Sequence, residues 1–351
     1  MTKDRKFYLF FFFRRNILFA YALLIFLPVF FSCRHGFPDS PDYATAISGI
    51  ALNASGTPED MGMTTLDIFI FNDDALRRLD SYQRTEADMK DIIPAASRTG
   101  KKILVVVANS GKDAAEWRAV NSADALFKTM SSFADESPGR PVMCGSSRID
   151  MGQDKECTVD MAPLLSEIRL NSIRCDFSGK PYADECLTDV RAYLINVNAE
   201  VPLFGDTDFK PTEIINASGL SSGDMERIRH PEMLLDSIGP RVGNTRIYPD
   251  ICLYCYPNSS REESIGSPFT RLVIEGKISG NTFYYPININ KAPGLHGGDG
   301  TGVGRNCRYV FDVTVTQSGT ENPDIPADPS MIAVNMTVEP WENADEDIID
   351  F

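Results

Sequence analysis

Histidine is almost absent from this chain: His35, His230 and His296 are the only three among 351 residues. That scarcity excludes histidine-ligated metal centres and leaves little room for imidazole acid–base chemistry. Basic charge is also scarce. The 34 Lys and Arg face 49 Asp and Glu, giving a formal net charge of −15. Such a surface repels phosphate backbones, so nucleic acid is excluded as a partner. No His-Glu-x-x-His, Gly-x-Ser-x-Gly or EF-hand loop occurs. The glycine-rich stretch Gly294–Gly304 lacks the Gly-Lys-Ser/Thr ending of a phosphate loop and does not lead from a strand into a helix. It reads as a loop ahead of a strand at Tyr309. Carboxylates are abundant, but no pair is marked out as catalytic. The acidic run Trp341–Asp347 reads as a solvated tail rather than a Ca²⁺ site. These absences point away from an enzyme and imply no cofactor and no metal.

Long apolar runs are missing too, except near the start. Ile17–Phe31 spans 15 positions, fewer than the roughly 20 that a membrane-spanning helix needs. It follows Lys3, Arg5, Lys6, Arg14 and Arg15, and it ends at Ser32-Cys33. This is the pattern of a bacterial lipoprotein signal: residues 1–32 are removed on export, and Cys33 is acylated. The competing reading is a single uncleaved membrane anchor. Either way, fold reasoning begins after Cys33, with residues 33–44 as a short tether. Seven cysteines remain, at 144, 157, 175, 186, 252, 255 and 307. Export permits disulfides, but an odd count leaves at least one free thiol. Cys252 and Cys255 form a lone CxxC whose members would point to opposite faces of a strand. They read as small buried residues.

What the chain does have is strand-like patterning. Ala46–Leu52 is β-compatible, Leu66–Phe71 is a nearly continuous apolar run ended by Asn72-Asp73-Asp74, and Ile103–Ala108 is a β-branched central strand. Tyr193–Val197, Arg271–Ile278, Tyr309–Val315 and Met331–Val338 are also strand-like, the last three alternating as half-solvated antiparallel strands do. In Arg271–Ile278 the alternation places Leu272, Ile274 and Ile278 inward and Arg271, Glu275 and Lys277 outward. Helices are predicted at 113–120, at 123–130 behind a capping Ser122, and at 224–235 with a break at Pro231. Strands outnumber helices and no βαβ rhythm appears, so the class is all-β, of the sandwich kind. Length suggests two sandwiches dividing near Pro163: residues 45–162 and 163–351.

From Leu66 to Arg84 (Leu-Asp-Ile-Phe-Ile-Phe-Asn-Asp-Asp-Ala-Leu-Arg-Arg-Leu-Asp-Ser-Tyr-Gln-Arg) the chain resembles the anchor and accessory subunits of Bacteroidetes-type pili. The likeness continues through Ile103–Asn109, Pro163–Leu170, Tyr193–Asn198, Leu253–Asn258, Thr270–Gly276, Tyr284–Asn290, Arg305–Tyr309 and Val338–Trp341. It covers nearly everything beyond Cys33. The resemblance implies two transthyretin-like β-sandwiches in tandem with minor helices, and a structural role in a surface fibre. Its implied partners are other fimbrial subunits and the outer membrane, the latter through lipid on Cys33. In that family, stalk subunits are cut after Arg or Lys ahead of the first core strand, and a neighbour's strand fills the opened groove. Here no Lys or Arg occurs from His35 to Leu76. The expectation is therefore that Ala46–Leu52 stays in its own groove and the lipid is kept, as suits an anchor or accessory subunit. Arg34-His35-Gly36 follows Cys33 where relatives often carry acids, which makes outer-membrane attachment the firmer expectation than surface display.

Two other functions compete. One is a tip or surface adhesin, to which the aromatic stretches Tyr248–Tyr256 and Phe283–Tyr285 would lend contact area. The other is a carbohydrate-binding surface lipoprotein, which would need an aromatic platform or carboxylate cleft that the sequence does not display.

Overall fold

A computed structural model describes residues 44–53, 62–86, 91–204, 210–291 and 299–340. The first half carries β1 (Thr45–Asn53), β2 (Leu66–Asn72), β3 (Leu79–Thr85), β4 (Ile93–Arg98), β5 (Gly100–Ala108), β6 (Met130–Ser132), β7 (Met143–Met151), β8 (Glu156–Asp160) and β9 (Ala162–Pro163). The second carries β10 (Ser166–Cys175), β11 (Leu187–Ile195), β12 (Val197–Asn198), β13 (Glu200–Pro202), β14 (Ile214–Ile215) and β15 (Leu235–Val242). It continues with β16 (Ile251–Cys255), β17 (Arg271–Ile278), β18 (Asn281–Asn288), β19 (Cys307–Val315) and β20 (Ile332–Pro340). The all-β expectation holds.

One pairing scheme is used twice. β1 lies between β4, antiparallel, and β8, parallel; β10 lies between β16, antiparallel, and β19, parallel. In the facing sheets, β2 sits between β3 and β5 as β11 sits between β15 and β17. β7 then extends the first of these as β18 extends the second. β20 has no counterpart, adding a strand beyond β19. The scheme turns over between β9 and β10.

The apolar run of β2 follows from cover on both faces. Ile68 and Ile70, with Leu104 and Val106 of β5, pack against Ile50, Ile93 and Val159 from the β4-β1-β8 sheet. Phe69 and Phe71 point the other way, with Val105 and Val107, under Trp117, Leu126 and Phe133 of the 110–142 excursion. That second cluster runs on into the second half, where Leu170, Leu253, Phe311, Leu194 and Ile274 fill the space between sheets.

The helices are shorter than the sequence suggests. Residues 113–120 hold only a 3₁₀ turn, Glu116–Ala119, because Trp117 is drawn edge-on against Phe69 with ring centroids 5.2 Å apart. Ala123–Phe127 is helical, and Ser122 caps it by accepting from the Ala125 amide at 3.3 Å. The 224–235 segment divides into a helix at Ser222–Arg227 and a 3₁₀ turn at Pro231–Met233. Arg271 is a further correction: predicted to face solvent, its side chain is only 2% exposed. Ion pairs to Glu263 and Asp324 and a 2.7 Å bond to Asn288 Oδ1 satisfy the buried guanidinium.

Candidate functional site

The first strand and the groove that holds it form the strongest candidate. β1 runs antiparallel to β4 from Thr45↔Arg98 to Ile50↔Ile93, and parallel to β8 from Gly49↔Glu156 to Asn53↔Asp160. Its side chains fill the groove lightly. Ile50 is 1% exposed and Ser48 is buried, whereas Ala46 and Leu52 are half-buried and Ile47 is 71% exposed. Polar contacts fix the register: Ser48 Oγ donates to the Asp154 carbonyl at 2.8 Å, and Asn53 Nδ2 to Asp160 Oδ1 at 2.6 Å. On the outward side, a Cβ at Gly49 would lie 2.7 Å from Ile92 Cγ2, so this position favours the smallest residue.

Both groove walls have β1 as their ladder partner in that sheet. Other bonds tie them down as well. Asp80 of β3 accepts from Ser97 Oγ at 2.5 Å and the Arg98 amide at 3.0 Å, and it pairs with the Arg98 guanidinium and with Lys102 Nζ at 3.1 Å. Burial alone would raise the Asp80 pKa, but hydrogen bonds from Ser97, Lys102 and Arg98 outweigh it and bring it down to about 2. Gln83 Nε2 adds a 3.1 Å bond to the Pro94 carbonyl. On the other wall, β7 approaches so closely that a Cβ at Gly145 would fall 2.0 Å from the Asp160 carbonyl oxygen. Only glycine fits there.

A second cluster lies where the two halves meet. β6 pairs with β13, and Phe133 stands edge-on to Tyr256 at 5.4 Å. Glu136 is buried there, accepting from the Tyr256 hydroxyl at 2.8 Å and the Val142 amide at 2.9 Å. Burial pushes the Glu136 carboxyl up to about 7, against the lowering effect of those hydrogen bonds. Arg305 reaches across to the carbonyls of Ala162, Pro163 and Leu203 at 2.9–3.1 Å. A cavity of about 240 Å³ adjoins this joint, lined by Lys112, Glu116, Asp135, Glu200, Glu213 and Arg227 among others.

The residues singled out from the sequence are distributed as follows. Cys33, the segment 294–298 and the tail 342–351 lie outside the described residues. Cys144, Cys157, Cys175, Cys186, Cys252 and Cys255 are free thiols, with Cys255 buried and Cys252 half-buried on opposite faces of β16. Arg77 and Arg78 close the β2–β3 hairpin; the Arg77 amide donates to Asp74 Oδ1 at 2.9 Å, and Arg78 bridges to Ser122. Of the aromatic stretches, Tyr256 and Tyr285 are core residues and Tyr248 is exposed. Among the described residues no group of His, Cys, Asp or Glu could hold a metal ion, and no helix is long and apolar enough to cross a membrane. The roles of Asp80, Glu136 and Arg305 escaped the sequence reading, since a charge that pairs or hydrogen-bonds with residues far along an acidic chain carries no distinguishing local pattern.

No protein-family model matches the chain, and no curated protein does. Solved structures do. A candidate cell adhesion protein from Bacteroides eggerthii aligns with TM-score 0.63 at 18% identity, over 85% of this chain and 97% of its own. A fimbrilin from Porphyromonas gingivalis aligns with TM-score 0.59 at 15% identity, over 87% and 99%. The tip fimbrial protein Mfa3 of the same organism, truncated at its C-terminus, gives TM-score 0.51 at 12% identity, over 84% and 100%. The likeness read from the sequence is matched in three dimensions: this chain has the fold of Bacteroidetes fimbrilins and cell adhesion proteins.

Proposed function

We propose that the protein is a fimbrial subunit of the cell surface, held to the outer membrane by lipid on Cys33, that engages neighbouring subunits by β-strand addition. Its two sandwiches, 45–162 and 163–351, are transthyretin-like domains in tandem. The observation that carries this reading is the seating of β1 as a lightly packed insert between two walls whose sheet bonds it completes. A fold that leaves such a slot for one strand has the geometry of strand exchange. The absence of Lys and Arg from His35 to Leu76 adds the specific role. An Arg/Lys-specific protease has no target from His35 to β2, and a cut after Arg34 would release no strand, so β1 keeps its own groove. With Arg34 uncut, the lipid stays attached. The subunit then acts as an anchor or accessory piece, giving a strand rather than receiving one, with the tail 342–351, whose end Ile348-Ile349-Asp350-Phe351 mixes apolar and acidic residues, as the donor.

The test is recovery of the subunit from native fimbriae with its first residue identified. A chain beginning at acylated Cys33 is expected; a stable form starting between residues 45 and 66 refutes retention. Deleting residues 342–351 is expected to leave folding intact and abolish incorporation. Unchanged assembly would remove the donor role and favour the adhesin reading. Cys33→Ala is expected to release the protein from the membrane.

A further inference from the structure

We propose that Glu136 and Tyr256 form a proton-operated latch between the two halves of the molecule. The pair spans the joint: Glu136 follows the 3₁₀ turn Phe133–Asp135 of the first half, and Tyr256 follows β16 of the second. Glu136 is 1% exposed and Tyr256 wholly buried. The carboxyl is met by neutral groups. Val142 N–H donates to Oε2 at 2.9 Å, Tyr256 Oη lies 2.8 Å from Oε1, and Tyr256 Oη lies 3.0 Å from Ser131 Oγ of β6. No cation bonds to the Glu136 carboxylate among the described residues, which sets it apart from Asp80, whose charge is matched by Arg98 and Lys102.

Two proton arrangements satisfy this chain of oxygens. With Glu136 protonated, its hydroxyl donates to Tyr256, Tyr256 donates to Ser131, and no buried charge remains. With Glu136 ionised, Tyr256 donates back to the carboxylate. The charge in the joint is then bonded to Tyr256, Val142 N–H and Ser137 N–H but matched by no cation among the described residues, a costly state in a low-dielectric interior. The charged groups around it offer no compensation. Asp135, on the same turn, opposes ionisation. Arg229 faces Asp135 at 3.7 Å, and Arg227 is held by Glu213 and Asp224 at 2.7 and 2.6 Å. Lys112, Glu116 and Glu200 also line the adjoining cavity, where acids outnumber bases. That cavity also touches Ser131, Asp135 and Val142, so it offers water a route to the ionised carboxylate when the joint loosens.

The direction of the pH effect follows. Glu136 holds its proton up to about 7, above the usual carboxylate range. The latch is closed at acid pH and weakens as pH rises through that value. The readout closest to the joint is the β6–β13 ribbon, whose strand bonds join the halves.

Hydrogen exchange on the full chain tests this. After correction for intrinsic exchange chemistry, protection of the β6 and β13 amides is expected to fall about tenfold between about pH 6 and about pH 8. In Glu136→Gln the fall is expected to be less than about twofold, while β5 amides show no pH dependence in either protein. Constant protection in the wild-type chain overturns the proposal, as does an unchanged fall in the variant. If Glu136→Gln does not fold, the Glu136 carboxyl carbon is titrated by NMR in the wild-type chain. A midpoint near 7 is expected, and one in the ordinary carboxylate range overturns the latch.

Discussion

β1 and β10 occupy equivalent places in the two halves, yet they are embedded very differently. Each sits between an antiparallel and a parallel neighbour. β10 buries Ser166, Glu167, Ile168, Leu170, Ser172, Ile173 and Cys175, whereas β1 fully buries only Ser48 and Ile50. One topology therefore serves two purposes: in the second half the strand is a core element, and in the first it is a light filling in a groove. Burial, not hydrogen-bond pattern, separates a deeply packed strand from a lightly packed one.

The comparison can be broken most directly at its two apolar anchors. Ile168→Ala in β10 and Ile50→Ala in β1 each remove a fully buried side chain and are expected to cost up to about 5 kcal/mol. Urea unfolding should show the β10 variant lowering the stability of the whole second half. Hydrogen exchange should show the β1 variant loosening β4 and β8 while leaving β19 protected. Equal spread of both effects would erase the distinction. Next comes the wall. Asp80→Asn removes the partner of the buried Lys102 ammonium and a clamp on Arg98, with an expected loss of about 3 kcal/mol by urea unfolding.

The same carboxylate predicts acid sensitivity. Its folded pKa of about 2 lies below the ordinary value of 3.8. Its stabilisation, roughly 2 kcal/mol, is therefore present above the ordinary value and is lost as pH falls through about 2. Thermal melts from about pH 5 downward should show the decline, and Asp80→Asn should flatten it. The smallest effect belongs to Gly49→Ala, expected to cost about 1 kcal/mol because the exposed Ile92 side chain can yield. A loss as large as that of Ile50→Ala would mean that β1 is packed as tightly as β10.

The legible parts of the fold were strands with one wet face and one dry one, as in β19, and the continuous apolar runs of β2 and β5, which are covered on both faces. Tyr309, Phe311, Val313 and Val315 alternate in sequence and are all buried in β19. β4 escaped because its inward positions after Ile93 are only Ala95 and Ser97, too small to signal a face. The 113–120 helix failed because docking of Trp117 on Phe69 outweighs helix propensity over so short a segment. β1 itself was legible as a strand, but its place between β4 and β8 was not, since a parallel partner far along the chain leaves no local trace. The buried charges were invisible for a related reason: Asp80 and Glu136 become special only through residues distant in sequence.

The parallel pairings also govern timing. Asn53 meets Asp160 across 107 residues, and Glu167 meets Arg308 across 141. Each half is thus closed by strands from its two ends, contacts that carry a high loop-closure cost and form slowly. An unfolded chain must wait for β8 before β1 has both neighbours, and for β19 before β10 does. During that wait the sheet edges stand open, so the interval before closure is when the chain is most exposed to wrong partners.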